Sequence, residues 1–132
     1  MNTLKIQIPS LQENIRIVES FIDNAKEKFN FNDDIYGNIM ISVTESVSNA
    51  IKHGNGLEKS KLVSLTLEIS ENKIVFTIED EGNGFDYDNL PDPTSPENID
   101  KPGGRGIFLI QNLADEVSFE NEGRKVILGF NM

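Results

Sequence analysis

The sequence has 132 residues, no cysteine and a formal net charge of −10. The length fits a single domain over residues 1–132. The lack of cysteine excludes disulfides and thiolate metal sites, and the acidic balance disfavours direct binding to nucleic acid or to an anionic membrane. No apolar run approaches the roughly 18 residues of a membrane span, so we expect a cytoplasmic globular protein.

The first half of the chain predicts one strand followed by two helices. Residues 3–8 alternate apolar and polar side chains, as a strand with one buried face does. Ser10 and Glu13 then have the spacing of a capping box, which predicts a helix over about 11–29. A second helix begins in an acidic first turn and is expected to end at Gly54.

The second half predicts a hairpin, a long irregular segment and a return to regular structure. Alternating apolar residues predict four more strands, at 61–69, 73–80, 116–121 and 124–131. Residues 86–102 lack periodicity and hold four of the 5 prolines, and a helix is expected at 105–114. This order of elements predicts a two-layer α/β sandwich, with a mostly antiparallel sheet and helices on one face.

Two polar residues of the second helix are candidates for a functional site. Glu45 and Asn49 are four residues apart and lie on the side of the helix opposite its apolar stripe. A carboxylate and an amide placed in this way are either a functional pair or ordinary solvent-exposed polar residues on the outer face of the helix. The helix pattern alone leaves both interpretations open.

Two glycine-rich clusters follow this helix. Asp80 ends an apolar strand and precedes Gly82 and Gly84, which would let the backbone approach a flat ligand while the carboxylate accepts the amino group of adenine. The second cluster, 103–106, opens an apolar helix, whose first amides favour phosphate. Taken singly, the first cluster fits a tight acidic turn better than a binding site, and the second also fits a flexible hinge at a helix start.

In their order and spacing, these segments resemble the motifs of a known superfamily. Residues 45–54, ESVSNAIKHG, look like the N box of the GHKL, or Bergerat-fold, ATPases, which include gyrase, the heat-shock chaperone, histidine kinases and mismatch-repair proteins. Residues 80–84 and 103–106 resemble their two glycine boxes. The whole chain is most similar to the small anti-sigma-factor serine/threonine kinases of bacterial partner switching, notably at 104–110 and 114–117.

The resemblance implies a role for each motif residue. Glu45 would be the general base toward a serine or threonine hydroxyl, and Asn49 would bind Mg²⁺ through its amide oxygen. Asp80 would recognise adenine, and residues 86–102 would form the ATP lid. The ATP-binding residues implied in all are Asn49, Asp80, Gly82, Gly84, Gly104, Arg105 and Gly106.

Two positions need a separate interpretation. His53, at the end of the second helix, is expected to be structural, or at most a neighbour of the phosphates. The family often has a threonine near the adenine in its final strand, but residues 123–126 are Gly-Arg-Lys-Val here. This segment therefore offers no hydroxyl to the nucleotide.

The function expected from the resemblance is an ATP- and Mg²⁺-dependent serine/threonine protein kinase, acting as an anti-sigma factor or a similar partner-switching regulator. Its partners would be ATP or ADP, a sigma factor, an antagonist protein that it phosphorylates, and a second copy in a homodimer. The main alternative is a non-catalytic, nucleotide-gated binding module, and a structural interaction domain with a vestigial pocket is a third. The presence of Glu45 favours the kinase, because a module that only binds has no need of a base.

Overall fold

A five-stranded antiparallel sheet is the base of the fold in the computed structural model, which describes residues 2–82 and 104–132. The strand order is β1-β2-β3-β5-β4, and each neighbouring pair is antiparallel. The strands are β1 Asn2–Pro9, β2 Leu62–Ile69, β3 Lys73–Glu79, β4 Glu116–Glu120 and β5 Lys125–Asn131. The expected fold class is confirmed, because each predicted strand forms and the sheet is antiparallel throughout these ranges.

Three α-helices accompany the sheet in the described part of the chain. They are α1 Ile15–Phe29, α2 Asp33–Asn49 and α3 Gly104–Leu113. The amide oxygen of Asn32 caps the start of α2 by accepting from the backbone N–H of Ile35 at 2.9 Å. No helix within the described ranges is long and apolar enough to cross a membrane.

The core lies between the helices and one face of the sheet. Successive residues of a strand point to opposite faces, and alternate residues of β2, β3 and β5 are buried accordingly. The rings of Phe76 and Phe130 meet edge to face at the centre, with centroids 6.3 Å apart. Residues fully buried on the helices include Val18 and Ile22 of α1, Ile39, Val43 and Val47 of α2, and Ile110 of α3.

The predicted capping box at the start of the first helix is wrong. Ser10 is buried, and its hydroxyl donates to the carbonyl of Lys61 at 2.7 Å instead of capping a helix. A short 3₁₀ turn over Gln12–Asn14 comes first, so that α1 begins at Ile15 without a side-chain cap. The carbonyl of Lys61, directly before β2, therefore binds the hydroxyl that the sequence spacing assigned to a helix cap.

The end of the second helix has a form that the sequence pattern did not predict. The helix does reach Gly54, but its last residues, Ala50–Gly54, form a π-helical turn. The amide of Asn55 donates to the carbonyl of Ala50 at 2.8 Å, which is the five-residue spacing of such a turn. This turn therefore holds one more residue than a turn of α-helix, and it ends at Gly54.

Candidate nucleotide-binding site

A pocket opens where α2, α3, the end of β3 and the start of β5 meet. Its wall is largely apolar and includes three polar side chains, those of Ser46, Asn49 and Asp80. The apolar side chains are Ala50, Ile78, Ile110 and Val126. An apolar wall beside a carboxylate and an amide has the composition expected of a small-molecule site.

Asp80 is fixed at the edge of this pocket by its own turn. Its side chain is 9% exposed, and its Oδ1 atom accepts from the backbone N–H of Gly82 at 2.8 Å. The backbone N–H of Asp80 donates to the carbonyl of Arg124 at 2.9 Å. Burial raises the pKa of the Asp80 carboxyl above its ordinary value, while the Gly82 N–H and the positive charge of Arg124 act in the opposite direction.

Two glycines make the close packing around Asp80 possible. A Cβ atom added to Gly54 would come within 3.0 Å of the Asp80 carboxylate, with Oδ2 the nearest atom, and real Cβ atoms essentially never come that close. A Cβ on Gly82 would overlap the backbone carbonyl of Gly54. The backbone of Gly54 in the π-helical turn therefore lies directly against both the Asp80 carboxylate and the backbone at Gly82. Sequence reasoning placed Gly54 at the end of the helix and of the N-box segment but missed its contact with Asp80, which a lone glycine in the sequence does not indicate.

Asn49 is not on a fully solvated face of the helix, which was one of the two interpretations that the helix pattern left open. It lines the pocket, and its Nδ2 atom is buried with no hydrogen-bond partner among the described residues. The physical reason is that α3 packs against α2 on this side, where Ser42 and Ser46 are buried as well. A buried amide without a partner is costly unless a ligand completes its hydrogen bonds.

Glu45 lies one helical turn before Asn49 on α2 and is half-buried. It is not among the residues that line the pocket wall. The structure therefore brings Asn49 and Asp80 together and places Glu45 beside, not within, the apolar pocket.

The second glycine cluster lies at the beginning of α3. The helix starts at Gly104, so Gly104, Arg105 and Gly106 belong to its first turn, where backbone amides have no acceptor within the helix. Ile110 of the same helix lies in the pocket wall. Gly84 and the predicted lid, 86–102, lie outside the described residues.

A magnesium ion held together with a nucleotide is compatible with the residues present. The described residues contain no group of three or more His, Asp or Glu side chains placed to hold a metal by themselves. The side chain of Asn49 lines the pocket, and its amide oxygen is one hard ligand of the type that Mg²⁺ takes. Mg²⁺ commonly takes one or two protein ligands and completes its shell with phosphate and water.

The two positions singled out in the sequence differ in their relation to the pocket. His53 is an exposed residue of the π-helical turn, and its pKa is lowered by partial desolvation and by the neighbouring Lys52. Where the family often carries a threonine, Gly123 and Val126 contribute to the pocket wall. Arg124 contributes its backbone carbonyl to the Asp80 amide, while its Nε atom donates to the carbonyl of Asn121 at 3.1 Å.

Known proteins match this chain over nearly its whole length. Residues 8–130 match the family described as "Histidine kinase-like ATPase domain". The serine-protein kinase RsbW of Staphylococcus aureus strain MRSA252 is 32% identical over 127 residues, which cover 90% of this chain and 79% of that protein. The protein of the same name from strain Newman is 30% identical over 126 residues, with the same coverage.

A solved structure has the same fold. The crystal structure of the RsbU and RsbW domains of a Mycobacterium tuberculosis protein aligns with a TM-score of 0.68 at 12% identity, covering 99% of this chain and 31% of that one. This structural similarity, the family match and the two relatives all indicate the same fold for this chain. The chain belongs to the family of histidine kinase-like ATPase domains and is a relative of the serine-protein kinases named RsbW.

Proposed function

We propose that this chain is an ATP- and Mg²⁺-dependent serine/threonine protein kinase that acts as an anti-sigma factor or a similar partner-switching regulator. The observation that carries the proposal is the convergence on one largely apolar pocket of the buried Asp80 carboxylate and the Asn49 side chain, whose Nδ2 atom has no hydrogen-bond partner among the described residues. The relatives named serine-protein kinase supply the reaction class. The chain would work in the cytoplasm, where such partners are found.

In the proposed binding mode, the base of ATP enters the apolar pocket. The Oδ1 atom of Asp80 already accepts from Gly82, and we assign the Oδ2 atom to the exocyclic amino group of adenine. Ile78 and Ile110 would contact the two sides of the ring, because both line the pocket on different elements. An ionised carboxylate accepting from an amino group is stronger than a neutral pair, which supports selection of adenine.

The phosphates would extend from this pocket toward the first turn of α3. Backbone amides of Gly104 and Gly106 would donate to phosphate oxygens, with the positive end of the helix dipole and Arg105 adding favourable charge. Asn49 would hold Mg²⁺ through its side-chain oxygen. When bound, the ion would offset the negative charge that the phosphates bring together.

Glu45 is the residue we assign to the chemical step. It would accept the proton of a serine or threonine hydroxyl on the antagonist protein as that oxygen bonds to the γ-phosphorus and ADP leaves. Its position one turn from Asn49, outside the pocket wall, suits a base that acts on the acceptor rather than on adenine. A nucleotide-gated binding module would use the same pocket but would not depend on Glu45.

Partner capture tests the regulatory half of the proposal. The purified chain would be immobilised and exposed to a lysate with ATP and Mg²⁺ or with ADP and Mg²⁺, and the retained proteins identified by mass spectrometry. We expect a sigma factor and a second protein whose retention depends on the nucleotide, the second carrying phosphoserine or phosphothreonine after incubation with ATP. Partners that are identical with ATP and ADP, and never phosphorylated, would contradict it.

The resemblance also implies a homodimer, which we retain as part of the proposal. Sedimentation equilibrium of the purified chain would give a mass near twice 14.8 kDa if this is correct. A single monomeric species at micromolar concentration would remove the homodimer without affecting the kinase proposal.

A further inference from the structure

Asn55 has a buried side chain and belongs to neither glycine box. The nitrogen and the oxygen of its amide form hydrogen bonds with three other segments of the chain. Asn55 is 2% exposed. Its Nδ2 atom donates to the hydroxyl of Ser10 at 2.8 Å and to the carbonyl of Leu62 at 3.1 Å. Its Oδ1 atom accepts from the backbone N–H of Glu81 at 2.7 Å. The last of these bonds reaches the turn that presents Asp80.

In that turn, three successive backbone N–H groups each donate a hydrogen bond to an acceptor within the protein. The N–H of Asp80 donates to the Arg124 carbonyl, that of Gly82 to the Asp80 carboxylate, and that of Glu81 to Asn55. Of the three acceptors, only Asn55 comes from the segment that follows α2. The same segment brings Gly54 against the Asp80 carboxylate. Asn55 therefore holds together the two turns whose backbones meet at the site.

We propose that Asn55 is a positioning residue for adenine recognition: it holds the Glu81 amide so that the Asp80 carboxylate keeps its direction into the pocket. The inference rests on the proposed function, because it takes Asp80 to be the adenine-reading group. Asn55 does not contact the pocket itself, and it would act only through the Asp80–Gly82 turn. Its loss should therefore reduce discrimination between bases more than it reduces the binding of phosphate groups.

The chemistry of the network explains why an amide is needed and supplies matched variants. N55A removes the acceptor of the Glu81 amide and also leaves the Leu62 carbonyl without its donor. N55D keeps an oxygen for the Glu81 amide in either protonation state but loses the pair of N–H donors. S10A removes the hydroxyl that Asn55 and Lys61 share and leaves the Glu81 bond in place. All three variants disturb one buried network, but only N55A removes the acceptor of the Glu81 amide in the turn that presents Asp80.

The test measures the affinity of the full chain for ATP and for GTP by calorimetry, with urea unfolding alongside. We expect N55A to lose about tenfold or more in the ratio of ATP to GTP affinity, as for a lost buried hydrogen bond. S10A should be destabilised to a similar extent and keep the wild-type ratio, and N55D should lie closer to S10A than to N55A. A wild-type ratio in N55A, or an equal loss of the ratio in S10A, would overturn the inference. A wild-type chain that binds neither nucleotide would instead overturn the proposed function.

A second measurement needs no variant and applies even if N55A does not fold. Glu81 is an exposed residue, yet its amide is hydrogen-bonded to a buried side chain. Amide hydrogen exchange followed by NMR in the nucleotide-free protein should show protection at Glu81 comparable to that of Asp80. Exchange at the rate of a free surface amide would show that Asn55 does not hold this turn.

Discussion

Replacing Asp80 by asparagine changes the adenine contact while preserving nearly the same shape. The new side chain keeps one oxygen for the Gly82 amide, which the wild-type Oδ1 atom accepts at 2.8 Å. Its other end becomes an NH₂ group, a donor placed where the amino group of adenine also donates. The substitution therefore removes a charged acceptor and adds a repulsive contact without creating a cavity.

The size of the expected effect follows from the burial of this carboxylate. Asp80 is 9% exposed, so an unmatched polar contact there should cost about 2–4 kcal/mol of binding free energy, since the lost acceptor is charged. This corresponds to roughly a 30- to 800-fold increase in Kd for ATP. Because burial raises the pKa of Asp80, removing the charge should not lower the unfolding free energy of the nucleotide-free protein at neutral pH.

Isothermal titration calorimetry with ATP and Mg²⁺ measures this effect, and urea unfolding checks the fold. E79Q is a matched control, because Glu79 is an exposed carboxylate at the end of the same strand and loses the same formal charge. We expect wild-type affinity in E79Q and a large loss in D80N. Equal affinity in D80N and wild type would remove Asp80 from the site, and a loss of folding in D80N would assign its effect to the turn instead.

Three further predictions test other parts of the site. G54A should place a Cβ against the Asp80 carboxylate and weaken ATP binding by about tenfold or more. G37A, in an open position of α2, should bind ATP normally and be about 0.5–1 kcal/mol more stable than the wild type. Equal calorimetric affinities for the two variants would refute the close approach of Gly54 to Asp80. E45A should bind ATP within about threefold of wild type but slow phosphotransfer by about 10²–10⁴-fold, whereas N49A should also lose Mg²⁺-dependent binding. Phosphotransfer rates and calorimetry with and without Mg²⁺ distinguish the two variants. A normal phosphotransfer rate in E45A would exclude Glu45 as the base. Because the pKa of Asp80 is raised in the folded state, its contribution to folding stability is fully present below the ordinary pKa of 3.8 and is lost as the pH rises through the folded-state pKa. The wild type should therefore gain stability relative to D80N on acidification. Urea midpoints of the two proteins that change in parallel with pH would contradict this.

Regular elements could be predicted from the sequence because their signals are local. Alternation in β5 puts Val126, Leu128 and Phe130 on the core face, as the period of a strand requires. The pattern predicts that the first helix ends at about residue 29, and the next residue, Asn30, adopts a left-handed conformation with φ 56°. The positions of the three motifs were also recognisable, because their residue types and order are features of the sequence itself.

The sequence pattern failed where a distant segment determines the environment. Ser10 has the spacing of a helix cap, but the carbonyl of Lys61 competes for its hydroxyl. Asn49 lies opposite the main apolar stripe, yet it is covered by a helix that follows more than fifty residues later in the chain. Gly54 and Asn55 matter through contacts with the turn after β3, and no local propensity reports such contacts.

Transfer of the γ-phosphate to a partner protein tests the central claim most directly. The wild-type chain would be incubated with ATP labelled at the γ-position, Mg²⁺ and the antagonist protein recovered by partner capture, and the label located by phosphopeptide mapping. We predict stoichiometric label on a serine or threonine of that protein, dependent on Mg²⁺ and lost in D80N. An antagonist that binds the chain in a nucleotide-dependent way but acquires no label would contradict the kinase and leave a nucleotide-gated binding module.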